Sequence, residues 1–299
     1  MRIVDTIEGL RAARKEMEGR VGLVPTMGAL HDGHLTLART AREENDHVIV
    51  TIFVNPTQFS PDEDLAAYPR DLEADSALLE KSGVDLIFTP TPALMYPAGY
   101  QTYVTVEGVT QGLEGDHRPE HFRGVTTVVA KLFNLVQPDI AYFGQKDAQQ
   151  VVVIRRMAYD MNFPLKIAVC PTIRETDGLA MSSRNAYLTA EQRAAAVVLN
   201  RALQTAGEAY ELGQRDPRKL QKVMVDVLNA EPLAQTEYAS VNYARTLKIV
   251  ESASDEPLLL SMVARVGRAR LLDNRLLPLS LNDRRGLDAV LGVPNVKSV

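Results

Sequence analysis

A chain of 299 residues that is 45% apolar and 24% charged has the length for two domains and the composition of a globular protein, which excludes fibrous and disordered classes. A formal charge of −5 with no long basic run leaves nothing to build a phosphodiester-binding stripe, so no nucleic-acid partner is expected. The one cysteine, Cys170, excludes an intrachain disulfide and a thiolate zinc cage; with no leader-like N-terminus and no apolar run near the ~20 residues that span a bilayer, the sequence reads as a cytoplasmic protein without membrane contact.

Residues 5–18 place Ile7, Leu10, Ala13 and Met17 at helical spacing, and Val21 to Val24 form a short buried strand closed by Pro25. The stretch Thr26-Met27-Gly28-Ala29-Leu30-His31-Asp32-Gly33-His34 then turns through glycines into a helix that continues through Leu35, Ala38 and Ala41 to Glu44. His47 to Val54 is a second, β-branched strand, and strand, helix, strand is the unit of a parallel sheet. Backbone N–H groups at such a strand-to-helix turn, together with the positive end of the helix dipole, would hold a phosphate. The second strand runs out into Asn55-Pro56-Thr57-Gln58-Phe59 at its carboxyl end, the edge where open parallel sheets bind ligands.

Arg70 to Ser82 reads as the next helix, Asp85 to Thr89 as a strand and Thr102 to Val106 as a short edge strand. Gly112 to Gly124 is a long polar connection of a kind that is usually functional or mobile, and the helix over 125–136 carries apolar residues at 125, 128, 129, 132, 133 and 136. Asp139 to Phe143 is a strand, Gly144-Gln145-Lys146-Asp147 opens a helix to about Met161, and Leu165 to Val169 is a further strand. The fold class expected is therefore α/β, with a Rossmann-like doubly wound parallel sheet over residues 1–175. After Thr172 the composition turns polar. A long helix with apolar positions 195, 198, 199, 202 and 203, a second helix over 217–229 and strands at 236–243, 257–265 and 269–277 make residues 176–285 a smaller α+β domain, with 286–299 a tail.

His31 and His34 lie three residues apart on one helical turn. Zinc would want a third ligand, and His47, His117 and His121 offer no spacing for it, so the pair reads as donors to phosphate oxygens, with plain surface histidines as the alternative. Lys146 opens a helix against its dipole one turn before Gln150; either an anion lies nearby or this is a solvated helix start. Met181-Ser182-Ser183-Arg184 offers hydroxyls and a guanidinium to close over phosphates, although Ser-Ser-Arg alone occurs in many loops. Gln58 and Gln150 are neutral amides suited to the hydroxyls or carboxylate of a small substrate, or else ordinary surface glutamines. Asp71, Glu73 and Asp75 form an acidic helix start that compensates the dipole or holds Mg²⁺.

Taken as a set, Pro25 to His34, Phe53 to Phe59, Tyr68-Pro69-Arg70, Phe143 to Asp147, Gln149-Gln150 and Asp177 to Asn185 strongly resemble the pantoate-β-alanine ligase (pantothenate synthetase) family, in order over about residues 20–280. G-x-x-H alone is shared with the wider HIGH-type nucleotidyltransferases and class I aminoacyl-tRNA synthetases; the whole set is specific. Two departures are Gln145, where many members have Glu, and Ala148, where an aromatic residue is common.

The resemblance implies a homodimeric ligase with a Rossmann-like domain and a small lid domain. It implies ATP- and Mg²⁺-dependent activation of (R)-pantoate to pantoyl adenylate with release of pyrophosphate, then attack by β-alanine to give pantothenate and AMP. Carried over, the nucleotide segments fall on Met27, Gly28, Ala29, Leu30, His31, Asp32, Gly33 and His34, on Gly144, Gln145, Lys146 and Asp147, on the backbone at Ile173, and on Met181, Ser182, Ser183 and Arg184. His34, His31, Lys146 and Arg184 would be the catalytic groups, Gln58, Gln150, Pro25, Met27 and Asn55 the substrate-binding ones, and Asp75 the metal-associated acid. Two readings compete: a HIGH-type nucleotidyltransferase acting on a phosphorylated substrate, which would want a second basic pocket where this chain has Gln58 and Gln150, and a catalytically silent nucleotide-binding regulator.

Overall fold

The computed structural model describes residues 1–60 and 65–293. These divide into two compact units, one formed by Met1–Phe143 with Val153–Cys170, the other by Gly144–Val152 with Pro171–Val293.

The first unit is built on a six-stranded parallel sheet of β1 (Arg2–Val4), β2 (Val21–Thr26), β3 (His47–Ile52), β4 (Leu86–Phe88), β5 (Ile140–Gly144) and β6 (Lys166–Cys170). The order is β1-β4-β3-β2-β5-β6. Chain order runs outward from β2 through β3 and β4 on one side and from β5 to β6 on the other, so the winding reverses between β2 and β5. The carboxyl ends at such a reversal are the ligand edge of an open α/β sheet. Val21, Leu23 and Val24 of β2 and Val48, Ile49 and Val50 of β3 are all fully buried, which is why both strands read as continuous apolar runs without alternation.

The helices are α1 (Ile7–Lys15), α2 (Asp32–Glu44), α3 (Leu72–Lys81), α4 (Pro92–Met95), α5 (Glu114–His117), α6 (His121–Val136) and α7 (Ala148–Asp160). Thr6, Asp71 and Thr91 cap α1, α3 and α4 through their side-chain oxygens. Helix α6 ends at Gln137 in the left-handed region, one residue before Pro138.

Several expectations are corrected. Thr102 to Val106 is not a strand. The N–H of Val104 donates to Thr127 Oγ1 at 3.0 Å and its carbonyl accepts from Thr126 Oγ1 at 2.6 Å, so hydroxyls of α6 take the groups a neighbouring strand would need. The connection 112–124 is not all loop, since α5 and the first turn of α6 lie within it. Lys146 does not sit one α-helical turn before Gln150: Gln145–Asp147 is a 3-10 turn and α7 begins at Ala148. Strand β1, too short to show a pattern, pairs with β4 from Arg2 opposite Leu86 to Val4 opposite Phe88.

The second unit contains α8 (Ala190–Ala195), α9 (Val198–Glu211), α10 (Pro217–Asn229) and an antiparallel sheet of β7 (Ala234–Tyr243), β8 (Leu258–Val266) and β9 (Ala269–Leu277) in that order. Its core joins Leu199, Leu203 and Tyr210 of α9 and Leu220, Met224 and Leu228 of α10 to Leu258, Leu260 and Met262 of β8. The segment expected as one long helix is two. In place of a tail from 286, Asp283 caps α11 (Arg284–Val290), which buries Leu287 and Val290; residues 294–299 of that tail lie outside the described residues. Gly144–Val152 cluster with this unit and not with residues 1–143, unlike the single expected division at 175. Among the described residues, no helix is long and apolar enough to cross a membrane.

Candidate active site

After β2 the backbone takes the left-handed region twice in succession, at Gly28 (φ 83°) and Ala29 (φ 52°). The N–H groups of Ala29 and Leu30 then converge on one point, and the carboxylate of Asp75 from α3 occupies it, accepting from Ala29 at 3.0 Å and from Leu30 at 2.8 Å. Glycine is required at position 28, because a Cβ there would lie 3.0 Å from Asp75 Oδ2 and 3.1 Å from Ile52 Cγ2. Burial pushes the Asp75 carboxyl above the usual carboxylate range, the two backbone N–H bonds pull it back, and the Asp71 charge adds to the rise.

His31 caps α2: its Nδ1 accepts from the N–H of Gly33 at 3.1 Å, while Nδ1 of His34 accepts from the N–H of His31 at 3.4 Å. The two rings lie 4.1 Å apart, centroid to centroid. A nitrogen that accepts carries no hydrogen, so in both neutral imidazoles the ring N–H belongs to Nε2. Six backbone N–H groups of the expected phosphate cradle are engaged within the loop or by Asp75. Gly28 N–H donates to Thr26 Oγ1, Ala29 and Leu30 to Asp75, His31 and Gly33 to ring nitrogens, and His34 to the His31 carbonyl.

Asp75, expected as the metal-associated acid, is 4% exposed, and each of its oxygens accepts an N–H of the loop. Among the described residues, no group of three His, Cys, Asp or Glu stands close enough to hold a metal ion by itself; Mg²⁺ is usually held by one or two carboxylates together with substrate phosphates.

The carboxyl end of β3 carries a polar network centred on Asn55, which is 1% exposed. Its Oδ1 accepts from Tyr96 Oη at 2.8 Å, from Thr57 Oγ1 at 2.9 Å and from the Thr57 N–H at 3.3 Å; its Nδ2 donates to Gly124 O and to Gln58 Oε1, both at 3.1 Å. Gln58 Nε2 in turn lies 3.0 Å from Met27 Sδ. Met27, Asn55 and Gln58, expected on the substrate side, are thus brought together, with Pro25 in the strand just before Met27. Sequence reasoning missed Tyr96, and also Arg118 and His121, which hold the Gln58 carbonyl at 3.2 and 2.8 Å. Burial and the contact with Tyr100 raise the Tyr96 phenol, against the bonds to Thr57 and Asn55 that lower it.

In the second unit, Lys146, Ser182 and Arg184 line one pocket that opens to solvent, together with Asn185, Arg270 and Asp273. Lys146 comes from one segment of sequence and Ser182 and Arg184 from another; Arg270 and Asp273 of β9 were not singled out by any motif. Lys146 Nζ stands 3.7 Å from Asp147 Oδ1, and Arg270 is paired to Glu237 at 2.8 Å. A short hairpin shapes the loop between them: the Ile173 carbonyl accepts from the Met181 N–H at 2.9 Å, and Arg174 bridges to Ala180. Ser182 caps the 3-10 turn Ser183–Tyr187 by accepting from the Arg184 N–H at 3.3 Å. Gln145 is 3% exposed, with Nε2 on Asn282 Oδ1 at 2.9 Å and Oε1 near the Thr172 N–H at 3.4 Å, a setting in which a neutral amide avoids burying a charge. Gln150 lies partly buried in the first turn of α7.

Comparison with known proteins gives a consistent result. A sequence model described as pantoate-beta-alanine ligase matches residues 2–276. Pantothenate synthetases of Chloroflexus aggregans and Herpetosiphon aurantiacus are 56% and 55% identical, over 93% and 92% of this chain and 100% and 99% of theirs. The crystal structure of a pantothenate synthetase from Thermus thermophilus is 48% identical with a TM-score of 0.86, covering 92% of this chain and 98% of that one. A pantoate-beta-alanine ligase from Francisella tularensis, solved with beta-gamma ATP and beta-alanine, is 34% identical with a TM-score of 0.76, covering 92% and 97%.

Proposed function

The chain belongs to the pantoate-β-alanine ligase family, and from that premise we propose that it activates (R)-pantoate with ATP to pantoyl adenylate and pyrophosphate, then transfers the pantoyl group to β-alanine, giving pantothenate and AMP. The observation that carries this reading is the pocket in which Lys146, Ser182 and Arg184 converge: two cations and a hydroxyl, the groups that bind phosphate oxygens, drawn from two segments of sequence onto one lining.

Attack of a carboxylate on the α-phosphorus gathers negative charge that must be neutralised in place. Lys146 and Arg184 of the second unit carry the positive charge for this, and in the first unit His31 and His34 carry imidazoles whose orientation is set by their engaged Nδ1 atoms. Gln58, held by Asn55, presents an amide to the hydroxyls or carboxylate of pantoate, and Gln150 a second one. The family likeness also carries the expectation of a homodimer in the cytoplasm and of Mg²⁺ arriving with the nucleotide.

The test is pantoate-dependent exchange of pyrophosphate into ATP, followed by AMP and pantothenate formation on adding β-alanine. Exchange is expected in the unaltered protein and its loss in Lys146→Ala and His34→Ala, with circular dichroism unchanged. Exchange that survives both substitutions rejects the site; exchange absent from the unaltered protein rejects the reaction.

A further inference from the structure

We propose that Asp75 is a positioning residue that sets the two imidazoles by binding, with its own carboxylate, a pair of backbone N–H groups in the loop after β2. This rests on the reading of His31 and His34 as phosphate donors. The backbone turns through positive φ at Gly28 and Ala29, and the N–H groups of Ala29 and Leu30 meet one anion. Here the anion is Asp75, buried to 4% exposure and accepting one N–H on each oxygen, at 3.0 and 2.8 Å.

Alanine does not hold the left-handed region without help, since its Cβ crowds the following carbonyl. The carboxylate is the help: it fixes Ala29 and Leu30, and the next residue, His31, is the cap of α2 whose N–H is taken by His34 Nδ1. Asp75, Leu30, His31 and His34 therefore form one chain of hydrogen bonds and adjacent residues from α3 to the reacting end of the imidazoles. A carboxylate buried to 4% exposure and bound to the loop through both oxygens serves the loop first, so its removal should disturb the loop and leave the metal requirement alone.

The experiment uses the full chain with Asp75→Asn. Amide hydrogen exchange at Ala29 and Leu30, measured without nucleotide or metal, should speed up by roughly 10- to 100-fold, the loss expected for a bond to a charged acceptor, while amides of β3 keep their protection. Nitrogen shifts of the His31 and His34 rings should move from a single Nε2–H tautomer toward a mixture. The kcat of pyrophosphate exchange should fall by about 10²-fold, as for a misplaced catalytic group, with the half-saturating Mg²⁺ concentration within about twofold of the unaltered protein.

Should Asp75→Asn not fold, Asp75→Glu replaces it, since the longer side chain keeps the charge but moves the carboxylate off the two N–H groups, and the same loosening and tautomer change are expected. Unchanged exchange at Ala29 and Leu30, or activity restored by raising Mg²⁺ tenfold, overturns the proposal. Because the exchange and ring-nitrogen readouts need no substrate, they decide the role of Asp75 even if the reaction proposed above is wrong.

Discussion

The side-chain nitrogen of Asn274 lies 2.7 Å from the carbonyl oxygen of Lys146 and 3.1 Å from that of Gln145, so a single residue of β9 holds the turn that presents the lysine. Asn274 is 3% exposed, and with those carbonyls committed to it the α-helical ladder starts only at Ala148. Replacing Asn274 by Ala removes one donor from each of two carbonyls, at a cost of about 1 kcal/mol each. Asn274→Ala is expected to lower the thermal midpoint by several degrees and to depress pyrophosphate exchange more than Asn274→Gln, which keeps a donor. Wild-type rates and midpoint in the Ala variant would show that the turn holds itself.

A second prediction concerns Tyr96, whose hydroxyl is one of three donors on Asn55 Oδ1. Tyr96→Phe removes one neutral bond and keeps the ring, so the stability cost is about 1 kcal/mol. Asn55 retains Thr57 on the same oxygen but gains freedom to tilt, and Gln58 tilts with it through their 3.1 Å bond. The expected signature is a KM for pantoate raised several-fold with kcat nearly unchanged, read from initial rates over a pantoate series. A change in kcat alone would place Tyr96 outside the substrate network.

Local physics makes part of this molecule readable before folding. The apolar runs of β2 and β3, the glycine turn between β2 and α2 and the apolar stripe of α6 each depend on neighbours within a few residues, and all appear near where pattern places them. What escapes depends on distant partners. Thr102 to Val106 has the composition of a strand, yet its fate is decided by hydroxyls of Thr126 and Thr127, more than twenty residues away. Asp75 reads as a helix-start acid because nothing local shows that Ala29 and Leu30 come to meet it. Asn274 carries no motif at all, and its link to Lys146 spans 128 positions. The histidines and Lys146 stand out through their placement at turns; the residues that aim them do not.

A third prediction tests the contact between the first turn of α6 and the turn Pro56–Gln58. A Cβ on Gly124 would stand 2.3 Å from the Thr57 carbonyl oxygen and 2.7 Å from the Gln58 nitrogen, both backbone atoms that cannot swing aside. Gly124→Ala must therefore push the 57–58 turn outward, an overpacking cost of about 1–3 kcal/mol. It should also stretch the Asn55–Gly124 bond and carry Gln58 away from Met27. Loss of several degrees in the thermal midpoint together with a raised KM for pantoate is expected. A midpoint equal to that of the unaltered protein would mean the helix start yields freely.

The last prediction concerns charge in the second unit. Asp273, 1% exposed, accepts two bonds from Arg174, at 2.6 and 2.9 Å. Burial holds the guanidinium of Arg275 below the ordinary arginine range, Arg174 adds to that, and Asp273 and Glu208 oppose it. One carboxylate thus balances a guanidinium it touches and a second one nearby. Asp273→Ala strands Arg174 beside Arg275 and should cost about 3–5 kcal/mol, the usual consequence of breaking a buried pair from one side. Removing both partners, as Asp273→Leu with Arg174→Met, takes the desolvation penalty away with the attraction and should cost far less, so the two changes will not add. Denaturant unfolding of the single and double variants gives the coupling directly. A double variant as unstable as the sum of its parts would show that Asp273 and Arg174 act independently.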